Sequence, residues 1–374
     1  MLKVRCDRSE LGEALGALLG IVPPGQTTKP ILLNFFLVAR DGRLTVEAMD
    51  LDLGSRITVE HVEVMEEGEL TLPAGRLAAL VRELPDSCVN LESFEEGRGA
   101  YLRAEGYDLK ILGDDPEEFP RVAEVSEEGA LQLDRDLFVE ALRRVSIASS
   151  HDPARYQLTG VFFEVEEDRL TLTATDGKRL THDVLRIENS SEIAASAIVP
   201  NRAVDTMLKV VPQGETQFTL SMGESDVHVA FGRGSLSSKL IQGKYPDYRW
   251  VISQQSTVKV SVKRSDMMAA VKTASLMTDK ESSTIVFHFE DGCCRLTTHA
   301  ASIGESKIEV PIEMQEGSVQ ICFNPNYFID AMRCLPDEEV RIEFSDGDKP
   351  GTLRGRQNYR HLIMPLVTEQ KAEA

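Results

Sequence analysis

The sequence predicts an α+β fold made of three similar antiparallel-sheet domains, each carrying two helices. Three stretches, VARDGRLTVEAMD, EVEEDRLTLTATD and HFEDGCCRLTTHA, align on Leu44, Leu170 and Leu296, which are spaced 126 residues apart. Solenoid repeats run about 20–50 residues, so a period this long marks the repetition of a whole domain. The same order of helix and strand signals also recurs around each anchor leucine.

In the aligned strand Leu170, Leu172 and Ala174 alternate with Thr171, Thr173 and Thr175, the pattern of a half-buried antiparallel strand. Asp41-Gly42 and Asp291-Gly292 supply tight hairpin turns, because Asp-Gly reaches positive φ at little cost. A first helical segment reads DRSELGEALGALLG, DRDLFVEALRRVS or KRSDMMAAVKTAS. In its middle copy Leu137, Phe138, Ala141, Leu142 and Val145 form one apolar stripe, with Asp134 placed as N-cap. In the first copy, Asp7 with Glu10 three residues on resembles a capping box. The second helical segment is PAGRLAALVRELP, PNRAVDTMLKVVP or NPNYFIDAMRCLP, opening at or beside a proline and stopping at Pro85, Pro212 or Pro336. Alternating strands such as QFTLSMGESDVHVAF follow it. The expected extents are 1–124, 125–254 and 255–374, with polar or acidic linkers near FPRVAEVSEEGA and WVISQQSTVKV.

Composition agrees with a chain that buries real cores: 374 residues, 42% hydrophobic and 27% charged. No run approaches the roughly 18 apolar residues of a membrane span, and MLKVRCDRSELGEALG is too charged for a signal peptide, so a cytoplasmic protein is expected. Six cysteines without a CxxC read as free thiols. The net charge of −20 argues against gripping nucleic acid over the whole surface, because phosphate binding is driven by Lys and Arg.

Enzyme constellations are missing from the sequence. The seven histidines show no HxxxH or HExxH spacing, and there is no zinc-type Cys/His cluster, no GxSxG elbow, no GxGxxG and no Walker motif. Asp176 and His182 bracket the turn of TATDGKRL and could form a catalytic pair. An Asp before Gly in a turn, however, more often bonds its own backbone. The acidic pairs Glu117-Glu118 and Glu127-Glu128 lie in linkers and read as solvated charge. The expectation is a non-enzyme with no cofactor and no metal.

Charge is segregated along the chain. The windows 8–20, 76–84, 135–145, 201–211, 263–273 and 324–335 hold 12 cations against 8 anions, within a chain whose total is −20. Basic helices set against acidic strands and loops suit helices that all face one polyanion. The blander reading is that helical surfaces favour Arg and Lys.

With three repeats, two helices in each and the helices basic, the chain resembles the bacterial β sliding clamp, the processivity subunit of the replicative DNA polymerase. The resemblance runs the whole length. Its most specific strings are TATDGKRL (173–180), SKLIQGKYPDYRWVI (238–252) and HLIMPL (361–366), with KPIL (29–32) and FPRV (119–122) also in place. It implies the DNA clamp fold, in which a head-to-tail homodimer closes a six-domain ring around double-stranded DNA. The implied role is a non-catalytic processivity factor in DNA replication. Arg76, Arg82, Arg143, Arg144, Arg202, Lys209, Lys263 and Arg264 would face DNA, and Leu109 and Ile111 would meet Leu276 and Met277 across the dimer interface.

The resemblance also implies a groove for linear peptides. Leu158, Thr175, Gly177, Lys178, Arg179, Leu180, Pro246, Trp250, Val251, Asn324, Tyr327, Leu362, Met364, Pro365 and Leu366 would form it. Its implied partners are the polymerase III alpha subunit, the clamp loader, other DNA polymerases, and mismatch-repair and ligase proteins, with no membrane. The other two copies, AMDLDLGSR and HAASIGESK, lack GKRL, so one groove per chain is expected. Lys178 and Trp250 stand where the best-known members carry His and Arg, which bears on peptide preference. Gln26 replaces a basic residue of a DNA-touching loop, and VTEQKAEA extends past the groove strand. Two rivals stay open: a clamp paralogue specialised for repair or drug resistance, and an enzyme using Asp176 and His182.

Overall fold

A computed structural model describes residues 1–25, 27–85, 87–94, 98–122, 130–188, 194–211, 214, 216–254, 256–279, 283–314, 317–355 and 358–366. Gln26, Glu127-Glu128, Pro212 and the stretch 367–374 lie outside them.

The helices are α1 (Arg8–Leu18), α2 (Ala74–Glu83), α3 (Arg135–Ser146), α4 (Asn201–Val210), the short α5 (Arg249–Ile252), α6 (Arg264–Ser275) and α7 (Pro325–Cys334). Apart from α5, which the sequence reading did not foresee, they are the two expected per repeat. The three anchor leucines fall on equivalent strands, Arg43–Met49, Arg169–Thr175 and Cys293–Ala300, and all are buried. Among the described residues, every strand pair follows the antiparallel pattern that alternation requires. Asp41 and Gly42 both take positive φ, as a tight hairpin demands. In the second repeat Glu167, at φ 53°, takes a position where glycine is the cheaper choice.

Caps form where local sequence asks for them, with one exchange of partners. Asp134 Oδ1 accepts the Leu137 N–H at 2.9 Å, and Asp7 Oδ1 accepts the Glu10 N–H at 2.9 Å. The expected capping box is only half made. Glu10 turns its carboxylate to the backbone N–H groups of Glu60 and His61, at 2.6 and 3.0 Å, and to His61 Nδ1. The α3 stripe is also narrower than its sequence suggests, since Leu137 is exposed while Phe138, Ala141, Leu142 and Val145 are buried.

The chain divides into two compact units, Met1–Val139 with Ile187–Gln242, and Glu140–Arg186 with Gly243–Ala374. In the first, one sheet runs Val62–Glu66, Lys3–Asp7, Cys88–Ser93, Gly99–Ala104, Tyr107–Leu112. A second sheet joins strands of two repeats, with Gly234–Lys239 lying beside Leu53–Val59 and Leu236 opposite Ser55. In the second unit Arg179–Arg186 pairs with Arg360–Ile363, again uniting strands of two repeats, and Leu180 sits opposite Leu362. That sheet continues through Gly351–Arg354, Glu339–Phe344 and Val258–Lys263. A separate sheet runs Gly304–Pro311, Cys293–Ala300, Ile285–Glu290, Val319–Phe323. Helices α6 and α7 pack on each other over a core in which Phe287 lies 4.9 Å from Phe328 and Phe289 lies 4.7 Å from Phe344.

Candidate peptide groove and charged helices

The Thr175–Leu180 turn is built by its own side chains. Asp176 Oδ1 accepts the N–H groups of Lys178 and Arg179, at 2.9 and 3.0 Å, an Asx turn that leaves Gly177 at φ 85°. Thr175 Oγ1 donates to the Arg179 carbonyl at 2.6 Å and accepts the Gly177 N–H at 3.0 Å. A side chain at Gly177 would meet Arg155 Nη1, which donates to the Asp176 carbonyl at 2.5 Å. Position 177 is therefore glycine chiefly for its conformation, since the end of a flexible arginine can move aside.

Arg179 ties this turn to α7. Its Nε reaches Asp176 Oδ2 at 3.1 Å, its Nη1 reaches Asp330 Oδ2 at 2.9 Å, and its guanidinium lies 4.6 Å from the Tyr327 ring centre. Arg179 is thus an ion-paired side chain. It also fixes the wall on which Tyr327 stands, while Asn324 caps α7 by accepting the Asn326 N–H at 2.9 Å. The C-terminal strand closes the other side, with the Met364 N–H on the Lys178 carbonyl at 2.9 Å and the Leu366 N–H on the Cys322 carbonyl at 2.8 Å. Leu180 and Leu362 are buried, Thr175, Leu158, Val251, Pro365 and Leu366 are half-buried, and Gly177, Lys178, Pro246 and Met364 are exposed. Trp250, on α5, is 61% exposed.

Sequence reasoning missed Arg155, which props the turn, Asp330, which receives Arg179, and the exposed Tyr156 beside Leu158. Their signal was proximity: Arg155 and Tyr156 share the Pro153–Leu158 turn with Leu158, and Asp330 lies one helical turn from Tyr327.

Asp176 and His182 do not make a catalytic pair. Asp176 spends both oxygens on the turn, as the backbone-bonding reading expects. His182 Nδ1 lies 3.1 Å from Thr173 Oγ1, and burial, with the Arg360 charge adding to it, pushes the imidazole down to about 4. Tyr248 closes over this side, its hydroxyl donating to Glu164 at 3.1 Å.

Among the cations, Arg76, Arg82, Arg143, Arg202, Lys209 and Lys263 are exposed, and Arg264 is half-buried with Nε on the Asp337 carbonyl at 3.0 Å. Arg202 is engaged with Asp50 and the Ile21 carbonyl. Arg144 corrects the sequence reading. It is 7% exposed and bonds Asp183 at 2.8 Å and Glu140 at 2.9 Å, because Asp183 is buried and requires a counter-ion. Arg144 therefore does not present its charge outward. Of the interface candidates, Leu276 is 78% exposed and Met277 and Leu109 are half-buried, but Ile111 is buried within its own chain. Leu112 is the exposed apolar residue at the end of that strand.

Comparison with known proteins sets this geometry in a family. Sequence models of the DNA polymerase III beta subunit match end to end: the N-terminal domain over residues 2–123, the central domain over 132–247 and the C-terminal domain over 249–367. The beta sliding clamp of Chlamydia muridarum is 28% identical over 365 residues, covering 98% of this chain and 99% of the relative. That of Synechococcus elongatus is 29% identical over 377 residues, with 98% and 99% covered. Among solved structures, the DNA polymerase III beta subunit of Thermotoga maritima superposes with a TM-score of 0.91 at 25% identity, covering 98% of this chain and 100% of that one. A sliding clamp from Bartonella birtlesii, bound to griselimycin, superposes with a TM-score of 0.90 at 25% identity, again with 98% and 100% covered. Three repeats, basic helices and these matches over nearly every residue lead to one conclusion: the chain belongs to the DNA polymerase III beta subunit family, and its function is that of a DNA sliding clamp.

Proposed function

We propose that two copies of the chain close head to tail into a ring around duplex DNA, and that each copy offers one groove to linear peptides. The peptides belong to the polymerase III alpha subunit, the clamp loader, other DNA polymerases, and mismatch-repair and ligase proteins. The observation that carries the groove is the convergence of three distant segments, the 175–180 turn, α7 and the 361–366 strand, through Arg179–Asp330 and the Met364–Lys178 backbone bond. Leu180 and Leu362 form an apolar floor, Met364 an adaptable edge and Trp250 an aromatic rim, a combination suited to short apolar anchors. The griselimycin-bound relative supports a ligand-receiving surface in this family.

The ring supports processivity without catalysis, because retention on DNA is then topological and needs no tight contact. An acidic chain with outward cations on its helices fits a sliding contact better than a gripping one. Domain extents of 1–124, 125–254 and 255–374 and a place of work in the cytoplasm complete the proposal. Ring closure would join the exposed edge strands Tyr107–Leu112 and Gly304–Pro311, which are otherwise open to wrong pairing. The deciding experiment loads the protein on DNA and measures its solution mass. A dimer retained on circular but not on linear duplex is expected; a monomer, or equal retention on both, refutes the ring.

A further inference from the structure

A cavity of about 960 Å³ opens on the sheet of the first unit, on the face opposite its apolar core. Leu44, Val46, Ile57 and Val59 are buried on the core side, so the alternate residues Thr45, Glu47, Arg56 and Thr58 point into the cavity. Three rows of cross-strand neighbours make its floor. Arg40 faces Arg43 at one end, Val38, Thr45 and Thr58 fill the middle, and Glu47 faces Arg56 at the other end. Arg40 and Arg43 are exposed, and the Thr45 and Thr58 hydroxyls lie 3.3 Å apart between the ends. Arg121 lines the same cavity, paired with Glu69 at 2.8 Å and lying 4.2 Å from the Phe36 ring centre.

Glu47 is the unusual member. It is 7% exposed, its Oε2 has no hydrogen-bond partner, and burial raises its carboxyl above the ordinary range against the pull of the Val122 backbone, Arg56 and Arg121. A buried carboxylate oxygen left without a donor is costly, and a ligand N–H would relieve that cost. At the opposite end two guanidinium groups on neighbouring strands suit a phosphate chain, with hydroxyls set to follow it. One row separates the ends, which lie about 14 Å apart along the strand, close to the length of an extended nucleoside triphosphate.

We propose that this cavity binds a nucleoside polyphosphate, with Arg40 and Arg43 on the phosphates and Glu47 accepting an N–H of the base. The site shares no residue with the peptide groove or with the helices assigned to DNA.

The test uses the full chain in magnesium-free buffer, titrated by calorimetry with GTP, with inorganic triphosphate and with a hexaglutamate peptide. GTP is expected to bind at micromolar concentration and at least tenfold more tightly than triphosphate. Arg40→Ala with Arg43→Ala, both exposed and so without effect on folding, is expected to weaken GTP at least tenfold. Glu47→Gln should weaken GTP while leaving triphosphate unchanged. No heat at millimolar GTP, equal affinity for GTP and triphosphate, or an unchanged affinity in the double variant overturns the proposal. Tighter binding of hexaglutamate than of GTP also overturns it, and assigns the cavity to an acidic protein segment.

Discussion

Replacing Arg144 by Met should cost the protein more stability than any change to an outward cation. The substitution keeps most of the side-chain volume but leaves Asp183, which is fully buried, without its counter-ion. Breaking one partner of a buried pair typically costs about 3–5 kcal/mol. At roughly 2–4 °C per kcal/mol for a domain of 150–250 residues, the melting point should fall by about 6–20 °C. The loss of the half-exposed Glu140 contact adds little to this.

The deficit should also depend on pH, and its sign follows from Asp183. Burial holds this carboxyl above its ordinary range even with Arg144 opposing, so removing Arg144 raises it further. The folded variant then holds a proton that the unfolded chain, titrating near 3.9, gives up more readily. Stability of the variant relative to wild type therefore recovers as pH falls through the raised value, and the deficit is largest in neutral and alkaline buffer. Differential scanning calorimetry from about pH 8 to pH 5 measures both effects. Asp183→Leu added to Arg144→Met should restore much of the loss, since a well-packed apolar pair can replace a buried ion pair. A wild-type melting point for the single variant at pH 8, or a deficit that does not shrink on acidification, would refute this account of Arg144.

Three further outcomes are expected. Met364→Ala, at an exposed edge, should weaken a peptide with two or three apolar anchors about tenfold without lowering the melting point, since one buried apolar side chain is worth roughly 1.5–3 kcal/mol. Trp250 is the single tryptophan, so its fluorescence should report that titration, and silence in both fluorescence and calorimetry would count against the groove. Charge reversal at Arg76, Arg143 and Lys209, all exposed, should reduce loading and processivity in a primer-extension assay with the fold intact, while wild-type affinity for short linear duplex stays weak and steeply salt-dependent. Leu276→Ala with Met277→Ala should give monomers at micromolar concentration in sedimentation, and an undisturbed dimer would move the interface elsewhere.

The repeat, the strands and six of the helices were legible because they rest on periodicity, which is local. Leu44, Leu170 and Leu296 mark the same buried position three times. Arg144 was misassigned because its residue type was weighed above its place on α3. It lies three residues from the buried Ala141, on the flank of the apolar stripe, and only a long-range partner, Asp183, explains an arginine there. Glu10 failed in the same way, since its better partners at Glu60 and His61 are 50 and 51 residues away. Within the groove, the turn could be read from TATDGKRL. Its support by Asp330 could not, because that bond crosses 151 residues of chain.

The seams between repeats carry a consequence for how the molecule comes apart. Leu53–Val59 bonds to Gly234–Lys239, and Arg179–Arg186 bonds to Arg360–Ile363, so strands of the middle repeat complete sheets begun by its neighbours. Its residues are shared between the two compact units, with 125–139 and 187–242 in one and 140–186 and 243–254 in the other. The sequence repeat, about 126 residues long, is therefore not the compact unit of the structure. A middle repeat excised at its sequence boundaries would lose a strand neighbour from each of two sheets and leave raw backbone edges in water, where a sister copy is the nearest substitute. The three similar stretches of sequence are therefore not the pieces into which the folded chain divides.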